Sequence, residues 1–251
     1  MAELRARGIG ALPEVRRGDD LAAMILDALG GEPLCDGQVV AIAHKVVSKA
    51  EGAVVALADV DPSRRAVELA SEQHKDARAV QVVLDQSAEI LRAAHGVLIC
   101  RTHHGFVCAN AGVDASNAAE PDTLIVLPRD PDSSARAIRA RLRERSGASV
   151  AVLISDSFGR AWRNGQVDVT IGLAGMTPLD DWRGRSDSNG LELRATWLAV
   201  ADAAAACADL ARAKDSREPV VLIEGLERFV GSADGPGALE LLRPLEEDMF
   251  R

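Results

Sequence analysis

Six short and largely apolar runs constrain the fold more than any other feature of the sequence. Each run is only four or five residues long, a length typical of a strand whose two faces are both covered. We therefore predict buried strands at Val39–Ala43, Val80–Leu84, Val97–Cys100, Leu124–Leu127, Val150–Ile154 and Val220–Ile223.

Three helical patterns lie between these runs. The pattern Asp20–Leu29 ends at a pair of glycines, which favour a helix C-terminus. Ser133–Arg145 has one apolar stripe, and either Asp132 or Ser133 is available as the N-cap. Arg194–Ala213 is alanine-rich and apolar on more than one face, which favours a buried helix.

The order of strands and helices predicts the fold class. The two do not alternate in the strict rhythm of a doubly wound sheet, so we expect an α+β fold with irregular mixed sheets and flanking helices. Because no composition break marks a linker, we predict a single module over residues 1–251. Within it we expect two closely associated lobes that form a cleft.

Composition and charge narrow the location and the partners. No apolar stretch reaches the roughly 18 residues that a membrane-spanning helix needs, and the first residues lack the apolar segment of a signal peptide. The four cysteines form no CxxC pair, which argues against a zinc knuckle or a disulfide framework. A formal charge of −9 argues against a nucleic-acid partner. We therefore expect a cytoplasmic protein that acts on small molecules.

The polar segment HKVVSKAEG follows the predicted strand Val39–Ala43 directly. Lys45, Ser48 and Lys49 place two cations and a hydroxyl at the carboxyl end of a strand, where open sheets often bind ligands. A solvated basic turn is the alternative interpretation.

Within the segment RTHHGFVCANAGVDASN, the stretch CANAGVDASN has too few large apolar residues for a core strand, and its Gly112 disfavours a helix. The adjacent His103 and His104 would point apart on a strand, so a hydrogen-bonding role is favoured over a shared metal ion. Asp114 lies in a glycine-containing loop, which we expect to be flexible enough to direct its carboxylate.

The segment AVLISDSFGRAWRNGQVD changes abruptly from apolar to polar. Asp156 and Ser157 follow a buried strand and provide hard oxygen ligands of the kind that Mg²⁺ and Mn²⁺ prefer. Arg160 and Arg163 come next, and guanidinium groups bind phosphate oxygens in bidentate fashion. A strand-end aspartate that only forms a turn is the alternative.

Several familiar motifs are absent. The sequence has no GxxxxGK[ST], no GxGxxG and no GxSxG, so a nucleotide is not held by a P-loop and no serine nucleophile is indicated. The glycine-rich stretch Pro178–Gly190 is either a loop over the site or an exposed connector.

With these segments in place, the chain resembles the coenzyme F420 γ-glutamyl ligases. The resemblance is carried by GALPEVRRGDDLA, DGQVVAIAHKVVSKAEG, HGFVCANAGVDASN, LPRDPDSSA, ISDSFGRAWRNGQVDVTIGLAG and DDWRGRSD, in that order. These stretches extend from Gly10 to Arg228, almost the whole chain. The chain resembles the free-standing form of the family, which has no nitroreductase-like domain.

The resemblance implies a set of site residues. It assigns metal ligands to Asp114 and Asp156, with Ser157 in place of the usual threonine as ligand of a second ion. Catalytic roles fall on Asp114, Asp156 and Lys49. It implies nucleotide contacts at Leu12, Pro13, Glu14, Val15, His44, Lys49 and Asn117. Serine or glutamine is more usual at the position of His44.

The resemblance also implies a reaction. GTP would phosphorylate the terminal carboxylate of the deazaflavin precursor, and L-glutamate would displace phosphate from the resulting acyl phosphate to form an amide. Two Mg²⁺ or Mn²⁺ ions per site, with K⁺ as a further candidate, would act as cofactors in a homodimer with its site in a V-shaped cleft.

The chain departs from the family pattern at two positions, and two alternatives to this function stay open. In the family's helix a glutamate and a glycine are usual where this chain has Ala203 and Ala213. The alternatives are a ligase that glutamylates another carboxylate, such as a folate, and a non-catalytic paralogue that only binds nucleotide.

Overall fold

The computed structural model describes residues 3–116, 120–213 and 215–248. Its strands are β1 Arg5–Gly8, β2 Val39–Ala43, β3 Val54–Ala56, β4 Ser87–Ala94, β5 Val97–Thr102, β6 Val107–Ala109, β7 Thr123–Ile125, β8 Ala151–Arg160, β9 Arg163–Ala174, β10 Leu179–Asp181, β11 Trp197–Ala199 and β12 Val220–Glu224. Its α-helices are α1 Leu21–Ala28, α2 His44–Glu51, α3 Arg64–Gln73, α4 Ala77–Asp85, α5 Pro131–Ser146 and α6 Val200–Ala211. In the described ranges no helix has both the length and the apolar character needed to cross a membrane.

The largest sheet has five strands in the order β1-β12-β2-β8-β9. Strands β2 and β8 are parallel, while the other neighbouring pairs are antiparallel. Successive side chains of a strand point to opposite faces, so both faces of the three central strands need cover. Helices α1 and α5 pack on one face and α6 packs on the other. The continuous apolar runs of these strands reflect this two-sided burial.

Residues 54–125 form smaller sheets beside the main one. Strand β3 pairs with β7, and β4, β5 and β6 form an antiparallel sheet against which α3 and α4 pack. The mixture of sheets with flanking helices confirms the predicted α+β class. The cleft between two lobes stays a prediction.

Five of the six predicted strands coincide with strands of the structure: Val39–Ala43 has the predicted ends, and the other four differ at one or both ends. The sixth, Val80–Leu84, is wrong because it lies within α4. Asp76 caps this helix by accepting a hydrogen bond from Arg78 N at 2.8 Å. Val80 and Val83 then pack into one apolar cluster and Val82 into another, which explains why a strand-like run is buried as a helix.

Two helix boundaries also differ from the prediction. Helix α5 begins at Pro131 with Asp130 as its N-cap, rather than Asp132 or Ser133, because Asp130 Oδ1 accepts from the Ser133 amide at 2.9 Å. Proline suits the first helical position, where its missing N–H costs nothing. The predicted helix Arg194–Ala213 starts only at Val200, since the preceding residues form β11 and pair with β10.

A tight turn at Asn110–Gly112 directs the chain from β6 toward Asp114. Asn110, Ala111 and Gly112 all have positive φ, at 50°, 54° and 72°. The Asn110 side chain holds the turn by accepting from Leu98 N at 3.3 Å and Lys75 Nζ at 3.2 Å. A Cβ at Gly112 would lie 2.8 Å from Leu127 Cγ, so only glycine fits here without displacing the core.

We predict that Gly112→Ala destabilises the fold by about 2–4 kcal/mol, because it adds a core collision to the cost of a left-handed backbone. Gly147→Ala is the matched control, because Gly147 has a φ of 76° with open space around it. This substitution should lower the free energy of unfolding by only about 1–2 kcal/mol. Urea denaturation of both variants measures the difference. Equal losses would show that Leu127 accommodates the added methyl group.

Candidate active site

The parallel pairing of β2 and β8 determines the centre of the candidate site. Ala43 lies opposite Ser155 in the register, so the next residue of each segment, His44 and Asp156, is brought to the same edge of the sheet. His44 Nε2 lies 3.3 Å from Asp156 Oδ1. Two residues that are far apart in the sequence therefore meet where the parallel pairing ends.

Helix α2 starts at this point and connects two further segments to the site. Lys45 Nζ lies 2.7 Å from Asp114 Oδ2 and donates to Ser116 Oγ at 2.6 Å. One turn later, Lys49 Nζ donates to Glu14 Oε1 at 2.6 Å. The same face of a short helix thus contacts the N-terminal segment and the loop after β6.

Asp114 is held firmly, contrary to the flexible loop expected from its glycine. Its backbone pairs with Ile125 through two hydrogen bonds of 3.0 and 2.8 Å. Burial acts to raise the pKa of Asp114, but hydrogen bonds from the Lys45 ammonium and the Ser116 amide outweigh it and lower the pKa. The carboxylate is therefore charged and aimed at α2.

The predicted nucleotide segment lies beside α2. Gly18 N donates to Ala50 O at 2.8 Å and fastens the segment to the helix. Glu14 is exposed and reaches Lys49, whereas the side chain of Val15 is buried in the main core. In the same segment, Leu12 is partly buried against that core and Pro13 is exposed. Backbone atoms and the Glu14–Lys49 pair are thus the polar groups that the segment offers.

Asp156 has a polar neighbour in the Ser157 amide and an apolar neighbour in the buried Cys108. Its Oδ1 accepts from Ser157 N at 2.8 Å. Burial, together with the nearby Asp156 carboxylate as a second cause, raises the pKa of the Cys108 thiol to about 12. Because a protonated thiol is a poor nucleophile and ligand, Cys108 acts as apolar packing here.

Ser157 points to the opposite face of β8 from Asp156, as neighbouring strand residues do. Its hydroxyl donates to Asp168 Oδ1 at 2.6 Å, and Ser155 donates to Asp168 Oδ2 at 2.8 Å. Arg212 forms an ion pair with the same carboxylate and donates to Ser155 Oγ at 3.0 Å. A metal ion bound by the Ser157 hydroxyl would therefore lie on a different face from one bound by Asp156.

Sequence reasoning missed Asp168 and Arg212. Asp168 is only 1% exposed, and it interrupts the apolar run from Val167 to Val169 within β9. A charged residue inside a strand-like apolar pattern was the available signal, because a buried carboxylate needs a partner. Nothing local in the sequence identifies Arg212 as that partner.

The two adjacent histidines make hydrogen bonds, as predicted. His103 Nε2 lies 3.1 Å from Asp85 O, and His104 Nε2 lies 2.9 Å from Pro128 O. In the described ranges, no three His, Cys, Asp or Glu side chains are grouped closely enough to hold a metal ion by themselves. Any ion at Asp114 or Asp156 would need further ligands from substrate or water.

Other candidates lie away from this centre or outside the described residues. Arg160 and Arg163 are exposed at the turn of the β8–β9 hairpin, about 13 Å along the strand from Asp156. Asn117, an expected nucleotide contact, lies outside the described residues. Ala203 and Ala213, the two departures from the family pattern, are both exposed at α6 and just after it.

Comparison with known proteins identifies the family of the chain. The sequence model of the F420-0:gamma-glutamyl ligase family matches residues 10–225. The chain is 44% identical to the coenzyme F420:L-glutamate ligase of Methanothermobacter thermautotrophicus over 97% of both chains. It is 43% identical to that of Methanopyrus kandleri over 99% of this chain and 98% of the relative. It is 41% identical to that of Methanocaldococcus jannaschii over 87% of this chain and 86% of the relative. The chain belongs to the F420-0:gamma-glutamyl ligase family.

Proposed function

We propose that the chain is a GTP-dependent ligase that joins L-glutamate by an amide bond to the terminal carboxylate of the deazaflavin coenzyme F420 precursor. Relatives that match nearly its whole length are named coenzyme F420:L-glutamate ligases, which supports glutamate ligation to this coenzyme. The structural observation that carries the proposal is the convergence of Lys45, Lys49, Asp114 and Asp156 around α2.

The start of α2 supports the binding of phosphate groups. Ala43 occupies the N-cap position and has no side chain that can accept a hydrogen bond from the first turn. The unpaired backbone N–H groups of a helix start, together with the helix dipole, favour an anion. Lys45 and Lys49 add two ammonium groups within two turns of that start. GTP phosphates are the anions that we assign to this position.

The carboxylates of Asp114 and Asp156 fit the hard ligands that Mg²⁺ and Mn²⁺ prefer, and Ser157 would hold a second ion. Mg²⁺ in particular is commonly bound by one or two carboxylates together with substrate phosphates, which agrees with the small number of donors here. When bound, such ions neutralise charge on the transferring phosphoryl group. We include K⁺ as a further candidate cofactor.

The reaction needs no covalent enzyme intermediate. A carboxylate oxygen of the acceptor attacks the γ-phosphorus of GTP and GDP leaves, which produces an acyl phosphate. The amine of L-glutamate then attacks the acyl carbon, and phosphate leaves as the amide forms. Lys45 and Lys49 stabilise the phosphates electrostatically in both steps. We further propose that the enzyme is a cytoplasmic homodimer and that it can extend a γ-glutamyl tail.

Two other functions compete with this one. A ligase for a different carboxylate, such as a folate, would have the same phosphate and metal groups and a different acceptor pocket. A non-catalytic nucleotide-binding paralogue would explain Ala203 and Ala213, but it gives no reason to retain both aspartates.

Mass spectrometry of reaction products tests the proposal directly. Purified protein incubated with GTP, Mn²⁺, L-glutamate and the deazaflavin precursor should give a product heavier by one glutamyl residue. Parallel reactions with a folate acceptor and with ATP in place of GTP should give little product. If only the folate is glutamylated, or if neither acceptor is glutamylated, the proposed function is rejected.

We predict that Lys49→Ala weakens GTP binding by about 1–3 kcal/mol, because charged hydrogen bonds to phosphate are lost. Its partner Glu14 is half exposed, so the free energy of unfolding should change by no more than about 1 kcal/mol. Arg64→Ala, which removes a cation that is 94% exposed on α3, controls for net charge. Calorimetry that gives equal GTP affinity for wild type and Lys49→Ala would exclude Lys49 from the site.

We predict that Asp156→Asn lowers product formation about a thousandfold, or about 4 kcal/mol in transition-state terms, while the fold is kept. Asparagine retains the oxygen that accepts from Ser157 N but loses the charge that a divalent ion requires. Melting temperature and ligation rate are measured on one preparation. An Asp156→Asn protein that is destabilised yet active would identify Asp156 as a structural residue only.

A further inference from the structure

His44 is buried next to the candidate metal site, and one of its two ring nitrogens has no hydrogen-bond partner. The residue is only 2% exposed, at the first position of α2. Its Nδ1 lies 3.3 Å from the hydroxyl oxygen of Ser48, which is completely buried one turn later. Its Nε2 is buried as well and has no hydrogen-bond partner. An unpaired buried ring nitrogen is costly, so a partner from outside the chain is expected.

The position of Nε2 indicates what that partner is. Nε2 lies 3.3 Å from Asp156 Oδ1, close enough for an ion pair but out of line for a hydrogen bond. Two atoms that bind one ion at about 2.1 Å each, at right angles, lie about 3 Å apart. The spacing of Nε2 and Oδ1 is therefore that of two neighbouring ligands of a single ion.

We propose that His44 Nε2 is a ligand of the divalent ion at Asp156. The inference rests on the metal site of the proposed function and adds to it a nitrogen donor. Ser48 supports the assignment, because a metal-binding histidine commonly donates its other ring N–H to a nearby acceptor, which fixes the ring. Here the Ser48 oxygen is placed to accept from Nδ1–H.

A nitrogen ligand changes which metal the site prefers. Imidazole is the usual ligand of Zn²⁺, Cu²⁺, Fe²⁺ and Ni²⁺, and both Mg²⁺ and Mn²⁺ take oxygen ligands; of these last two, Mn²⁺ is the transition metal, which also accepts a nitrogen ligand. The site at Asp156 therefore selects Mn²⁺ over Mg²⁺ more strongly than one built from carboxylates alone. Without His44 as ligand, the same geometry would be a buried contact between an imidazole and a carboxylate, and the metal preference would not depend on this residue.

Mn²⁺ binding to the full chain without GTP tests the proposal. His44→Asn removes the Nε2 atom and keeps a polar group opposite Ser48. We expect the Mn²⁺ Kd, measured from the EPR signal of free Mn²⁺, to rise at least tenfold, and the Mg²⁺ Kd, measured by competition, to change less. His103→Gln removes an exposed imidazole that contacts a backbone carbonyl and should leave both constants unchanged.

Electron spin echo spectroscopy of Mn²⁺ bound to the wild-type chain gives a second readout that needs no variant. Nitrogen modulation from a directly bound imidazole is expected, and its absence overturns the proposal even if His44→Asn fails to fold. An unchanged Mn²⁺ Kd in His44→Asn, with weaker binding in Asp156→Asn, overturns the role of His44 and leaves the proposed ligase intact. Failure of the wild type to bind Mn²⁺ with or without GTP overturns the metal site itself.

Discussion

The parallel pairing of β2 with β8 is the constraint on which the candidate site depends. It places Ala43 opposite Ser155, and both segments change from apolar to polar at this point. Because β2 passes directly into α2, the helix start and its lysines lie at the same edge as Asp156. A shift of one residue in this register would move every side chain of the strand to the opposite face of the sheet, into the other apolar core. The apolar cores on both faces of the sheet therefore fix the polar geometry at its edge.

The charges of the site are balanced within the chain. Lys45 pairs with Asp114 and Lys49 pairs with Glu14, so neither lysine is an isolated cation. In the proposed reaction phosphates and divalent ions would exchange partners with these pairs: the lysines would turn to the phosphates and the carboxylates to the metal. Such an exchange keeps opposite charges together throughout, which avoids the high cost of an unpaired charge in a partly buried site.

The two faces of β8 present their polar side chains to different partners. On one face Asp156 lies beside His44, whose buried Nε2 has no hydrogen-bond partner. On the other face Ser155 and Ser157 both donate to Asp168, which also pairs with Arg212 at the end of α6. This second network is centred on the buried Asp168 carboxylate, and it joins β8, β9 and the end of α6 beneath the strand that carries Asp156.

The sequence by itself determined the central strands and the segments that meet at the site. Short continuous apolar runs are recognisable locally, and the motifs around Asp114 and Asp156 are among the stretches that carried the family resemblance. The local pattern gave the wrong element at Val80–Leu84, because a short apolar run is equally compatible with a helix and a strand. In the structure this run lies in α4, whose N-cap is Asp76. Only the tertiary structure decided that His44 faces Asp156 and that Arg212 pairs with Asp168 across 44 positions. Such contacts follow from strand register and helix packing, which depend on the whole core and leave no trace in the neighbouring residues.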